Sequence, residues 1–257
     1  MYETITYEIN NQVAWLTLNR PEKLNAFTET MNREVIAVLK EAEDNTEVRA
    51  LVVTGAGRAF CSGEDLAGLK NELDHGELLR TRYNPMMKQW MKFEKPTIAA
   101  VNGAAAGAGM SLALASDFRI AASKASFIQA FVHIGLVPDS GSLYFLPRLV
   151  GYAKAVELAM LGEKVSAEDA KNLGLVTKVV SDEALYSETQ SFAESLTRLP
   201  TKSLGLIKRY MHQSFETSLN QMLENEAFAQ RIAGLTEDHR EGVSAFLEKR
   251  KPQYKGK

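Results

Sequence analysis

Two stretches of this chain carry residue types and spacing suited to holding a developing negative charge. Ala59-Phe-Cys-Ser-Gly-Glu-Asp-Leu66 and Asn102-Gly-Ala-Ala-Ala-Gly-Ala-Gly-Met-Ser111 each follow a short apolar run, Ala50–Thr54 and Thr97–Val101, and each turns on glycine. Two such turns can aim two backbone N–H groups at one point, and small side chains let a ligand approach the main chain closely. Met110–Ala115 reads as a helix after the second turn, and amides converging at a helix N-terminus stabilise an oxyanion. A third segment, Phe127 to Gly141, brings a carboxylate, Asp139, to the end of an apolar stretch, just before a helix expected to start near Ser140-Gly141. Among Phe131, Leu136, Val137 and Leu143 that carboxyl should titrate above its ordinary range, which suits a base that gives its proton back. Taken alone, Asp139 reads more simply as a helix cap; beside two oxyanion turns it reads as an acid/base.

Other chemistries have weaker support. Gly109-Met-Ser111-Leu-Ala departs from a nucleophile elbow only at its last position, and an elbow serine would make a hydrolase. Ser111 falls inside the expected helix rather than on the turn before it, and neither it nor Ser140 near His133 has a convincing triad. Gly55-Ala-Gly57 lacks the third glycine of a dinucleotide fingerprint, and no phosphate-binding Gly-Lys-Ser/Thr occurs. His75, His133, His212 and His239 lack metal-ligand spacing, and Cys61 is the lone cysteine, so neither a metal site nor a disulfide is expected.

The elements that must position these residues can be read in outline. The 257 residues suffice for a full core, as one domain or one with an appendage. A net charge of −2 gives no general attraction to nucleic acid or anionic membrane. The N-terminus reads as neither signal peptide nor anchor, and the apolar stretch Thr97–Ala115 is interrupted by glycines, Asn102 and Ser111; a cytoplasmic protein is the expectation. Thr4–Ile9 and Val13–Leu18 alternate as paired strands about a turn at Asn10-Asn11, and Thr28 caps a helix running to about Glu43. Arg49–Thr54, Asp117–Ala122 and Leu175–Val180 read as further strands, the last after a helix start at Ser166. Residues 66–94 are charged and helix-prone, interrupted by Pro85, and form a variable segment beside the site. Ala50–Gly55 and Ile98–Gly103 echo each other 48 positions apart, which suggests repeated strand–strand–helix units winding into a spiral. From Leu199-Pro200 to Arg250 the chain reads as helices without strands, whose apolar faces suit covering a neighbour.

The wording of both glycine turns resembles the enoyl-CoA hydratase/isomerase (crotonase) family. The resemblance implies an α/β crotonase (ClpP-like) spiral over residues 1–198 and a C-terminal helical region, 199–257, that packs in a homotrimer, often doubled to a homohexamer. It implies that the amides of Glu64 and Ala108 bind a thioester oxygen. The pattern Phe-x-x-Ala-Phe-x-x-Ile-Gly-Leu-x-Pro-Asp139, with Arg240 to Arg250 near the end, is similar to the 1,2-epoxyphenylacetyl-CoA and Δ3,Δ2-enoyl-CoA isomerases of that family, in which the matching aspartate is the acid/base. The chain departs from the hydratases at both catalytic glutamates, whose positions here hold Ser111 and Phe131. One carboxylate suffices to move a proton between two carbons, whereas adding water usually engages two, so isomerisation is favoured and hydration is the alternative. Asn19 to Phe27 is similar to the family's nucleotide-side segment: Lys23 is placed to meet a phosphate, Leu24 and Ala26 to bind through main chain. Ala59, Gly63, Asp65, Leu66 and Phe131 belong to the expected substrate site, and Phe246 and Lys249 match a C-terminal helix that contributes to CoA binding, in places from a neighbouring subunit. The Glu64 side chain is either incidental or part of the acyl-pocket lining. CoA is part of the substrate and no separate cofactor is expected. A non-catalytic, acyl-CoA- or RNA-binding member is the remaining alternative, opposed by the neutral charge balance and by the retained Asp139.

Overall fold

The computed structural model describes residues 2–68 and 74–257. Strands β1 (Ile5–Asn10) and β2 (Val13–Leu18) form the expected antiparallel hairpin. Its turn centres one residue later than the sequence suggests, on Asn11 and Gln12, whose φ angles of 49° and 66° are the paired positive values of a type I′ turn. Helix α1 (Glu29–Asp44) begins where Thr28 accepts a hydrogen bond from the Met31 N–H at 3.2 Å, and it buries Val35, Val38, Leu39 and Ala42.

Three successive units of one kind follow. Each sends a first strand into a large sheet and, after a tight turn, a second strand into a small one. The pairs are β3 (Ala50–Gly55) with β4 (Ala59–Cys61), β5 (Thr97–Val101) with β6 (Ala104–Ala106), and β7 (Phe118–Ala122) with β8 (Ser126–Ile128). The large sheet runs β1-β2-β3-β5-β7-β10, with β10 at Lys178–Val180, and is parallel from β2 onward. The small sheet runs β4-β6-β8-β9, with β9 at Val165–Ser166. The echo between Ala50–Gly55 and Ile98–Gly103 is therefore one turn of a spiral. A Cβ on Gly55 would lie 2.2 Å from the Ala59 and Phe60 carbonyl oxygens, and one on Gly103 2.1 Å from the Arg58 oxygen. The turn into the small sheet closes only over a hydrogen atom.

Between β4 and β5 lie α2 (His75–Leu78), a π-helical turn over Leu79–Tyr83, and α3 (Asn84–Lys92). Pro85 does not end the helical path; it stands in the first turn of α3 directly after the π-helical turn, and the residues before it, Tyr83 and Asn84, are already helical. Residues 69–73 of the charged segment lie outside the described residues. Helix α4 (Ala108–Ala115) follows β6 and is buried along its whole length, in keeping with an apolar sequence on every face. Helices α5 (Ser142–Val150), α6 (Tyr152–Leu161) and α7 (Ala167–Asn172, capped by Ser166) lead to β10. That strand is shorter than Leu175–Val180 because the Leu175 and Val176 amides turn back to the Ala170 carbonyl and the Leu175 carbonyl accepts from Arg119 Nε.

Helix α8 (Leu185–Thr197) packs on the large sheet, with Tyr186 stacked on Trp15 at 4.5 Å. Beyond it α9 (Thr201–Gln213), α10 (Leu219–Gly234) and α11 (Glu237–Leu247) form a region with no strand among the described residues. Helix α9 is fastened to the core by Lys208, 2.9 Å from Asp117. Arg49, only 5% exposed, donates to the carbonyls of Leu199 and Tyr254 at 2.7 Å each and to Thr201 Oγ1 at 2.8 Å. No residue of α10 is buried, whereas α1 buries six. Among the described residues no helix is long and apolar enough to cross a membrane.

Candidate active site

The two glycine turns meet. After β4 the chain passes through Gly63 (φ 99°), and Glu64 forms an isolated parallel bridge with Phe27. In that bridge the Phe27 N–H donates to Gly63 at 2.7 Å and the Asp65 N–H donates to Phe27 at 3.0 Å. Alternation along an extended chain then turns the N–H of Glu64 itself away from Phe27. After β6, Gly107 (φ 52°, ψ −126°) adopts a backbone only glycine holds comfortably and opens α4, so that Ala108 is the first helical residue. The N–H at that position has no intrahelical acceptor. A Cβ built on Gly63 would stand 3.6 Å from the Ala108 nitrogen, so the first turn touches the second where its free amide begins. Helix α4 comes this close because residue 109 is glycine: a Cβ there would lie 2.3 Å from the Cys61 carbonyl oxygen.

A cavity of about 400 Å³ opens over this junction and brings together Gly63, Glu64, Leu66, Ala108, Phe131 and Asp139. Asp139 reaches it from the loop before α5. Burial pushes its carboxyl above the ordinary aspartate range, while the Ser140 hydroxyl, donating to Oδ1 at 2.8 Å, and nearby His75 pull the other way. Ser140 holds φ 51° and is buried, so the backbone is bent sharply just past the carboxylate. Of the apolar neighbours named from sequence, Phe131 is buried in the cavity wall and Leu136 and Val137 line it, but Leu143 is exposed and lies off it. Asp139 does not cap α5 through its side chain; Gly141 precedes that helix, and the Asp139 carbonyl accepts from the Ser142 N–H.

Ser111 is fully buried, and its hydroxyl donates to the carbonyls of Gly107 at 3.2 Å and Asp139 at 3.0 Å. It ties the aspartate's backbone to α4. Among the described residues no histidine is hydrogen-bonded to Ser111 or Ser140, which leaves the hydrolase alternative without a triad.

The remaining site residues divide. Lys23 is exposed on the loop beside the turns. Leu24 gives its N–H to Pro21 and accepts from Ser62, and Ala26 gives its N–H to Lys23 and accepts from Arg20, so their main-chain donors are already engaged. Asp65 pairs with Arg20 at 2.8 Å; hydrogen bonding from that guanidinium holds its carboxyl below the ordinary range. Ala59 is buried in β4, where its carbonyl accepts from Asn25 at 2.8 Å and Asn102 at 3.2 Å; it does not line the cavity. Phe246, 82% exposed, and Lys249 stand at the end of α11, away from the cavity of their own chain. Arg20 and Asn25 were not singled out from sequence, although together they stitch the 19–27 loop to the first turn; a polar residue next to Pro21 carries no signal of a partner 45 positions away.

The Glu64 side chain is held in place. Tyr83 donates its hydroxyl to Oε2, Arg82 lies 3.7 Å from Oε1, and Glu64 lines the same cavity as Asp139. Burial raises it above the ordinary glutamate range despite those two contacts. Among the described residues there is no cluster of three or more His, Cys, Asp or Glu fit to hold a metal ion.

Comparison with known proteins identifies the family. The enoyl-CoA hydratase/isomerase family model matches residues 8–257. The 1,2-epoxyphenylacetyl-CoA isomerase of Escherichia coli is 44% identical over 262 residues, with 100% of both chains covered. A protein named a probable enoyl-CoA hydratase in Rhodobacter capsulatus is also 44% identical, covering 100% of this chain and 99% of its own. The solved structure of an enoyl-CoA hydratase from Polaromonas sp. JS666 superposes with a TM-score of 0.92 at 38% identity, covering 97% of this chain and 99% of that one. The spiral of paired strands is thus the crotonase fold, and the chain belongs to the enoyl-CoA hydratase/isomerase family.

Proposed function

We propose that this enzyme isomerises acyl-CoA thioesters, moving a carbon–carbon double bond through an enolate. With a 3-enoyl thioester in the cavity, the carbonyl oxygen sits on the Glu64 and Ala108 amides. Asp139 removes a proton from C2: the C–H electron pair becomes the C1–C2 double bond of a dienolate while the C1–O π pair moves onto the oxygen. Asp139 then returns the proton: the C3–C4 π pair takes it at C4, the C1–C2 pair moves into C2–C3 and the carbonyl reforms, leaving a 2-enoyl thioester and a free carboxylate. Each amide donor of an oxyanion hole is worth about 2.7–4 kcal/mol in the barrier. A carboxyl titrating above its ordinary range is better matched to giving the proton back. The observation that carries the reading is Asp139 in one cavity with Glu64 and Ala108, whose amides have no acceptor among the described residues, together with Ser111 and Phe131 where hydratases hold glutamates. The same scheme would open a ring epoxide on an aromatic acyl group, the reaction class in the name of the E. coli relative.

Hydration of a 2-enoyl thioester is the second reading, favoured by one observation: the Glu64 carboxyl supplies a second acid in the cavity. CoA is the handle of the substrate. The exposed apolar residues Leu219, Phe228, Leu235 and Phe246 of the C-terminal region support residues 199–257 as the part that packs between copies in a trimer or hexamer, where Phe246 and Lys249 reach a neighbour's CoA and Lys23 meets a phosphate. The lone, buried Cys61 suits a reducing cytoplasm.

Asp139→Asn, assayed with cis-3-, trans-3- and trans-2-enoyl-CoA thioesters, tests the reading. Isomerisation should fall by about 10²–10⁴-fold with thioester affinity little changed. Activity within about tenfold of wild type would reject Asp139 as the base, and wild-type turnover of only the trans-2 substrate, to a hydroxyacyl product, would favour hydration.

A further inference from the structure

Glu64 has two parts with separate roles. In the reading above its N–H belongs to the oxyanion pair, and the residue lines the cavity, so its carboxyl stands close to an acyl group whose carbonyl rests on that amide. The carboxyl is held from outside the turn. The π-helical turn over Leu79–Tyr83, in which the Asn84 N–H reaches back five residues to Leu79, adds one residue to the helical path before α3. Such insertions concentrate at functional sites. Here the turn carries consecutive residues to Glu64: Tyr83, 1% exposed, donates to Oε2, and Arg82, braced by Glu29 at 3.5 Å, stands near Oε1. A carboxylate offers about four acceptor sites, and among the described residues only the Tyr83 hydroxyl fills one. Leu66, Leu78 and Phe131 supply apolar wall in the same cavity, beside Ser62, His75 and the acid/base Asp139. A plain hydrocarbon chain would leave that acceptor unanswered, at a desolvation cost typical of an unpaired buried polar group.

We propose that the Glu64 carboxylate is a specificity-determining acceptor that selects acyl-CoA thioesters carrying a hydroxyl on the acyl group over their unsubstituted counterparts. The inference rests on the acyl-CoA reading above but not on the direction of the chemistry.

Binding measurements keep the two apart. Calorimetric titration of the wild type with phenylacetyl-CoA, 3-hydroxyphenylacetyl-CoA and 4-hydroxyphenylacetyl-CoA, and with hexanoyl-CoA against 6-hydroxyhexanoyl-CoA, should show at least one hydroxylated thioester binding about 10–100-fold tighter than its parent, the range of a hydrogen bond to a charged group. Glu64→Leu should abolish or invert that ratio. Tyr83→Phe, which keeps the carboxylate but frees it, should shrink the ratio, and it serves if Glu64→Leu does not fold. A brace with no ligand contact would weaken every thioester alike and leave the ratio unmoved. Equal binding of each pair by the wild type, or an unchanged ratio in both variants, overturns the inference and leaves the acyl-CoA reading standing. Failure of all five thioesters to bind overturns both.

Discussion

The two turns that build the candidate oxyanion site reach the same end by different physics. The first, around Glu64, is aimed by a strand-like bridge to Phe27 and held from the side by the Arg20–Asp65 pair and by Asn25. The second, around Ala108, is aimed by a helix: α4 begins there, and its position is fixed by Gly109 against Cys61. The helix-borne amide needs no side chain to orient it, and residue 108 carries only a methyl group. The bridge-borne amide depends on a network of side chains, and its own residue presents a carboxyl to the cavity. The first turn is therefore where a sequence change can alter what is bound, and the second is where it can only be lost or kept.

Ala108→Pro breaks the second turn at its donor. Proline removes the N–H, yet the first position of a helix is where it is best tolerated. A folded protein, checked by circular dichroism and size-exclusion chromatography, should lose about 10²–10³ in turnover. Wild-type rates from it would mean the thioester oxygen does not rest on this amide.

Arg20→Ala tests the first turn less directly. It leaves Asp65 without its partner and frees the Ala26 carbonyl, and because both side chains are mostly buried the loss should be about 1–3 kcal/mol of stability, with a smaller fall in rate than Ala108→Pro. The Asp65 carboxyl is held below its ordinary range in the fold. The contribution of the pair is therefore present above the unfolded aspartate value and lost as pH falls through the folded one. Thermal melts of variant and wild type should converge in acid; a gap that persists there would assign the loss to packing instead.

Ser140→Gly is the mildest change. Loss of the hydroxyl that draws Asp139 downward should move the acidic limb of the pH–rate profile to higher pH, since the base must be ionised to act. Glycine also relaxes the left-handed backbone at this position, so stability should hold or rise. An unmoved limb would mean that the limb reports another group.

Legibility in the sequence follows the same divide. The helix-aimed turn could be read almost whole, because glycines, small residues and an apolar run state their geometry locally, and the spiral was visible as an echo for the same reason. The strand-aimed turn could be read only as a motif. Arg20, Asn25, Arg82 and Tyr83 act on it across 18 to 45 residues, and nothing local marks such partners. The π-helical turn was hidden behind Pro85, which from sequence alone reads as an interruption. The short β10 depends on Arg119 capturing a carbonyl 56 positions on.

Arg49 gives the fold an order in time. It stands at the entry to a strand in the middle of the large sheet, but its acceptors come 150 to 205 positions later, at Leu199, Thr201 and Tyr254. During synthesis β3 emerges long before the groups that satisfy its neighbouring guanidinium. Until they arrive, closing the core there means burying a cation without these acceptors, which is costly. The C-terminal segment thereby works as the latch of the sheet: without it the Arg49 guanidinium loses the three acceptors that it holds in the finished fold.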